Sequence, residues 1–235
     1  AYYTFDNLTN KQGNPSWNGI LAGAASINNT NPSCSFVADS CAIVTSGISN
    51  IINDYTPVLA LNPCNNAISV EDGSAFKAGD TVLMIQMKGA EIDQTNTISF
   101  GTITNYKNAG NYEFNYVKSR TGNVIELKNV LTRPYDIPGG VVQLVRVPYY
   151  NSAKVTGTLT CLPWDGKKGG ILVLNAKDTI DLLANIDVSG TGFIGGVGFN
   201  SNNPVLTCNE NNYIYPAASA NLAGLKGESI VTLPN

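Results

Sequence analysis

The stretch "GGILVLNAKDTIDLLANIDVSGTGFIGG", residues 169–196, decides how this chain is read. Its apolar side chains come in short groups: Ile171 to Leu174, then Ile180 and Leu182, then Ile186 and Val188. Polar residues and glycines separate the groups, so one long strand is excluded, and β-branched residues beside glycines suit a helix poorly. In "IDL" and "IDV" the period-2 rule turns Ile180, Leu182, Ile186 and Val188 to one side, with Asp181 and Asp187 on the other. Short strands broken by sharp corners describe the coil of a parallel β-helix, in which inward side chains stack from rung to rung. An ordinary hairpin remains open at this point, because short apolar runs fit both.

Working outward, the 235 residues suffice for one large β domain or two small ones. Only 13% of residues are charged, and the long charged windows of amphipathic helices are missing. The net charge of −3 and only three arginines, Arg120, Arg133 and Arg146, argue against nucleic acid as a partner. No apolar run approaches the roughly 20 residues of a membrane-spanning helix. A chain opening on Ala1 rather than Met reads as a mature secreted protein.

Three regions follow. Residues 1–55 read as an irregular N-terminal segment with a disulfide loop, although Ile43, Ile48, Ile51 and Ile52 would share a face in a weak helix. Residues 56–150 carry strand-like runs separated by the turn signals "NAGN", "RTGN" and "PGG", the pattern of an antiparallel β domain. Residues 151–235 read as the start of the β-helix, with a loop excursion at about 191–223 and "GESIVTL" as the next coil. The expected fold class is therefore all-β: a small barrel- or sandwich-like domain running into the first coils of a parallel solenoid. One coil alone cannot bury its faces, so further coils are expected beyond those visible.

Of the five cysteines, Cys34 and Cys41 are close enough to close a small loop. Cys161 with Cys208 is the second expected pair, leaving Cys64 over. Absent histidine removes the commonest general base and the Ser-His-Asp arrangement, and makes a zinc site improbable. Asp178, Asp181 and Asp187, with Lys177, are the groups a glycosidase, lyase or calcium site would use. Solvated carboxylates on a coil's outer face explain them better, so no catalytic, cofactor or metal residue is assigned. Tyr149, Tyr150 and Trp164 stand near turns and are the candidate ligand-stacking aromatics, although strand-end packing between the barrel-like domain and the coil explains them as well.

The ordered blocks "AGDTVLMIQMKGA", "FGTITNYKNAGNYEFNYV", "VQLVRVPYYNSAKV", "LPWDGKKGGILVLNAKDTIDLLANIDVSGTGFIGG" and "GLKGES" resemble the N-terminal region of large secreted surface proteins of the Bacteroidetes. SprB-like gliding-motility adhesins, exported by the type 9 secretion system, are the nearest case, over roughly residues 56–230. The resemblance implies a non-catalytic domain of a cell-surface adhesin on the outer-membrane exterior, with no cofactor. It implies as partners further domains of the same long chain, the type 9 translocon, surface-anchoring proteins and a glycan or surface ligand. A carbohydrate-binding or polysaccharide-degrading β-helix module, or a recognition domain for an export or anchoring partner, is the alternative.

Overall fold

Two β assemblies share the residues that the computed structural model describes, 47–95, 97–196 and 227–232. The first is a closed antiparallel barrel of six strands. In chain order these are β2 (Tyr55–Asn62), β3 (Ala67–Val70), β4 (Thr81–Lys88), β7 (Tyr112–Thr121), β8 (Val124–Leu127) and β9 (Val141–Val147). They are arranged around the barrel as β2-β3-β8-β7-β4-β9. A short ribbon, β5 (Glu91–Ile92) with β6 (Ile103–Asn105), lies between β4 and β7 in the chain.

Alternation explains the closure. Val82 and Met84 on β4, Val117 on β7, Ile125 and Leu127 on β8, and Val142 and Leu144 on β9 all enter one buried cluster with Ile68, Val70 and Phe76. Register shifts within β2, β4 and β7 mark bulges, which bend strands and let a small sheet curl on itself. Buried amides tie down the loops. Gln86 donates to the carbonyls of Lys88 and Lys107 and accepts from the Asp136 N–H. Asn115 donates to the Asn129 carbonyl and accepts from its N–H. A barrel has no free edge, so this unit is closed against strand addition.

The second assembly is a parallel sheet in the order β1-β10-β11, with β1 (Ile48–Ile51), β10 (Tyr149–Thr160) and β11 (Asn175–Leu182). Tyr149 pairs with Asn175 and Val155 with Leu182, and a further parallel bridge joins Leu159 to Ile186. Each link spans 26 or 27 residues of chain, the length of one coil. The hairpin alternative is overturned: the ladder is parallel, as in a solenoid. The coil's corner also repeats one step on, where the Trp164 N–H donates to the Thr191 carbonyl at 2.8 Å.

β1 lies in the segment expected to be irregular, and Ile48, read there as a helical residue, is a buried strand residue stacked on Val155. The barrel is consequently inserted in the coil, between the first rung and the second. The chain leaves β1, runs around the barrel from Tyr55 to Val147, and re-enters the coil after Pro148.

The quoted stretch holds the two assemblies together. Ile171 and Val173 join Leu83, Val145 and Val147 on the barrel's outer face, while Leu172 and Leu174 pack on the coil cluster of Ile48, Val155 and Leu159. An apolar run on both faces is what a segment buried on both sides requires. Its backbone is satisfied by side chains at alternate residues. Gln143 brackets Gly169, accepting from its N–H at 2.8 Å and donating to its carbonyl at 3.0 Å. The Tyr55 hydroxyl donates to the Ile171 carbonyl at 2.6 Å. Asn53 donates to the Val173 carbonyl and accepts from its N–H, at 2.6 and 3.1 Å. Burial pushes the Tyr55 phenol up to about 12, as expected of a hydroxyl in this seam. Gly169 takes a φ of +96°, and a Cβ there would meet the Pro163 carbonyl oxygen at 2.5 Å, so only glycine fits.

Candidate functional surfaces

The four residues expected in the coil's interior have the expected partners and an unexpected exposure. Ile180, Leu182 and Ile186 fall in register with Ala153, Val155 and Leu159, all buried. Yet Ile180, Leu182, Ile186 and Val188 are themselves exposed, by 43–59%. That corrects the sequence reading, and the cause is position in the stack. Val155 has Ile48 on one side and Leu182 on the other and is 0% exposed; among the described residues Leu182 has a strand neighbour on one side only, and it is 59% exposed. Among the described residues no strand pairs with the outer edge of β11. "GESIVTL" does not provide one in residues 227–232: the Ile230 carbonyl accepts from Gly89 and Ala90 N–H groups at the end of β4. Among the described residues this end of the coil therefore presents an apolar rung and a row of backbone groups without strand partners, the two features on which another rung stacks.

Tyr149, Tyr150 and Trp164 do not form a stacking platform. Tyr150 and Trp164 are buried, and Tyr149 is half-buried beside Asn175. β10 is the middle strand of its sheet, so side chains that a lone strand would expose are covered from both sides. Trp164 packs edge-on against Phe193, with ring centroids 5.4 Å apart. Lys88 lies 5.9 Å from the Phe193 ring centroid and pairs with Glu228 at 3.2 Å. Although burial opposes it, the Ile194 N–H and Lys88 hold the Glu228 carboxyl below the usual range. This cluster joins the end of β4 to the coil.

Cys161 is a buried free thiol 3.1 Å from the Thr191 hydroxyl, not half of a disulfide. Its expected partner Cys208 lies outside the described residues, as do Cys34 and Cys41, and Cys64 is exposed and free. Asp178, Asp181, Asp187 and Lys177 are all exposed. Asp187 is held below the usual carboxylate range by hydrogen bonds from Ser189. Among the described residues no cluster of acidic or cysteine side chains is arranged to hold a metal ion. No helix among them is long and apolar enough to cross a membrane.

A surface missed in the sequence lies on β7. Tyr112, Phe114 and Tyr116 alternate along the strand, point away from the barrel interior, and are 46–54% exposed. Their outward neighbours on β4, Leu83 and Ile85, pack with the coil, which does not extend over β7. The signal was present in "YEFNY", three aromatics at alternate positions, but it reads equally as ordinary strand patterning.

No family model and no curated protein matches this chain. Two solved structures are similar to part of it. One is the Gp54 tailspike of Acinetobacter baumannii bacteriophage AP22, in complex with A. baumannii capsular saccharide: 18% identity over 57% of this chain, TM-score 0.26. The other is the tailspike protein gp49 from Pseudomonas phage LKA1: 14% identity over 61% of this chain, TM-score 0.27. The matched regions span 23% and 24% of those proteins. With scores this low, the architecture rests on the strand ladders above and not on either likeness.

Proposed function

We propose that this chain is a non-catalytic attachment domain of a secreted cell-surface adhesin, in which the barrel is seated at the base of a parallel β stalk. The observation that supports this reading most is the open rung of the coil. Ile180, Leu182 and Ile186 extend columns already stacked in register, and a further rung would bury them. The barrel fits a basal role, because its closed sheet offers no edge for strand addition. The similarity of its sequence blocks to SprB-like adhesins supports outward export by the type 9 route, gliding or attachment as the process, and surface-anchoring proteins as partners. A glycan ligand is the second reading, favoured by the exposed aromatic row on β7.

Deleting the segment from the gene in its host tests the proposal. Cells are expected to lose adhesion to surfaces while growing normally on polysaccharides. Lost growth on a polysaccharide with adhesion intact would assign the segment to glycan degradation instead.

A further inference from the structure

We infer that the outward face of β7 is a binding site for an anionic polysaccharide, with Tyr112, Phe114 and Tyr116 as its stacking residues and Arg133 and Lys128 as its carboxylate contacts. This deepens the glycan reading above and does not depend on the coil being a stalk. The three rings belong to one extended strand, so successive ones are spaced at about 6.7 Å in a straight row. Aromatic rings offer flat apolar faces, and the C–H faces of pyranose rings are their complement. Such rows are seldom left exposed without a use, since they are normally turned inward or covered. Here the coil covers the adjoining outward residues of β4 and stops short of β7.

Charge selects the kind of glycan. The Arg133 guanidinium lies 5.9 Å from the Tyr112 ring centroid, and the Lys128 ammonium 5.8 Å from that of Tyr116. One cation therefore stands at each end of the row in a protein whose net charge is −3. Arg133 is held there by its backbone. Glu113 accepts hydrogen bonds from the Thr132 N–H and hydroxyl and from the Arg133 N–H, at 2.9, 3.0 and 3.2 Å. Among the described residues Arg133 forms no salt bridge, which leaves its guanidinium available to a ligand carboxylate. Single-stranded nucleic acid also stacks on aromatic rows, but it needs a continuous cationic groove along its phosphates. The cations of β7 itself do not supply one, since Lys118 is paired with Glu126 at 2.6 Å and Arg120 donates to the carbonyls of Phe76 and Gly122.

Affinity electrophoresis of the 235-residue chain in gels containing polygalacturonate, dextran or oligo(dT) tests this. Polygalacturonate is expected to retard the protein most. Phe114→Ala weakens that binding roughly tenfold, the loss of one stacking contact. Tyr112→Ala/Phe114→Ala/Tyr116→Ala removes it, and Lys128→Gln/Arg133→Gln lowers it several-fold while leaving any dextran retardation unchanged. The replaced side chains are exposed, and unchanged circular dichroism confirms that the variants fold. Equal retardation by dextran, stronger retardation by oligo(dT), no retardation by any gel, or full binding by the triple variant each overturns the assignment. Cell adhesion by the triple variant bears on the attachment reading alone.

Discussion

Gln143→Leu is expected to lower the free energy of unfolding by about 3 kcal/mol, because it strands both backbone groups of Gly169. Gln143 is fully buried between the barrel and the coil, and its amide is the hydrogen-bond partner of both the Gly169 N–H and its carbonyl. Leucine is no smaller than glutamine, so the loss comes from two unpaired polar groups and not from a cavity. Each such group costs roughly 1–3 kcal/mol where water cannot reach. Urea unfolding measures the change, as a lower midpoint with an unaltered slope. An unchanged midpoint would mean that water satisfies Gly169 and that the seam between the two assemblies is wet.

The second large effect depends on place in the coil's columns. Leu159→Ala is expected to cost about 3 kcal/mol, in the range for a buried leucine that leaves a cavity. Leu182→Ala is expected to cost less than about 1 kcal/mol, although both residues face the same way along parallel strands. Leu159 lies on the middle strand and is completely buried, whereas Leu182 lies on the outermost of the described rungs and is largely exposed. Equal costs for the two variants would show that something covers Leu182 in solution and that the rung is not open.

The fate of the quoted stretch shows how much of this was legible. Its alternation identified which side chains share a face, because parity along a strand is a local property. Whether that face is covered depends on the neighbouring rung, and nothing near Leu182 in sequence reports whether one is present. The partner strands were hidden for a related reason. β11 pairs with a strand one coil earlier, and Ile48 pairs with Val155 across the whole inserted barrel, so no turn motif advertises either pairing. Tyr150 and Trp164 stand near turns, where a stacking role and a packing role were both open, and the rungs and Phe193 enclose them in the packing role. Tyr112, Phe114 and Tyr116 were missed, because their alternation was visible and their outward direction was not. In a barrel both faces of a strand carry apolar residues wherever something packs outside, and only the path of the coil distinguishes β4 from β7.

The central claim is that β10 and β11 are successive parallel rungs of one coil, and paired cysteines test it most directly. Ser152→Cys/Thr179→Cys and Lys154→Cys/Asp181→Cys place thiols on exposed, directly paired positions. Both pairs should oxidise to disulfides that peptide mass spectrometry can map. Ser152→Cys/Leu183→Cys should not close, since a parallel register offsets those residues by four positions, or about 13 Å. Closure of Lys154→Cys/Asp181→Cys together with Ser152→Cys/Leu183→Cys, but not Ser152→Cys/Thr179→Cys, would mean an antiparallel ladder and would contradict the coil.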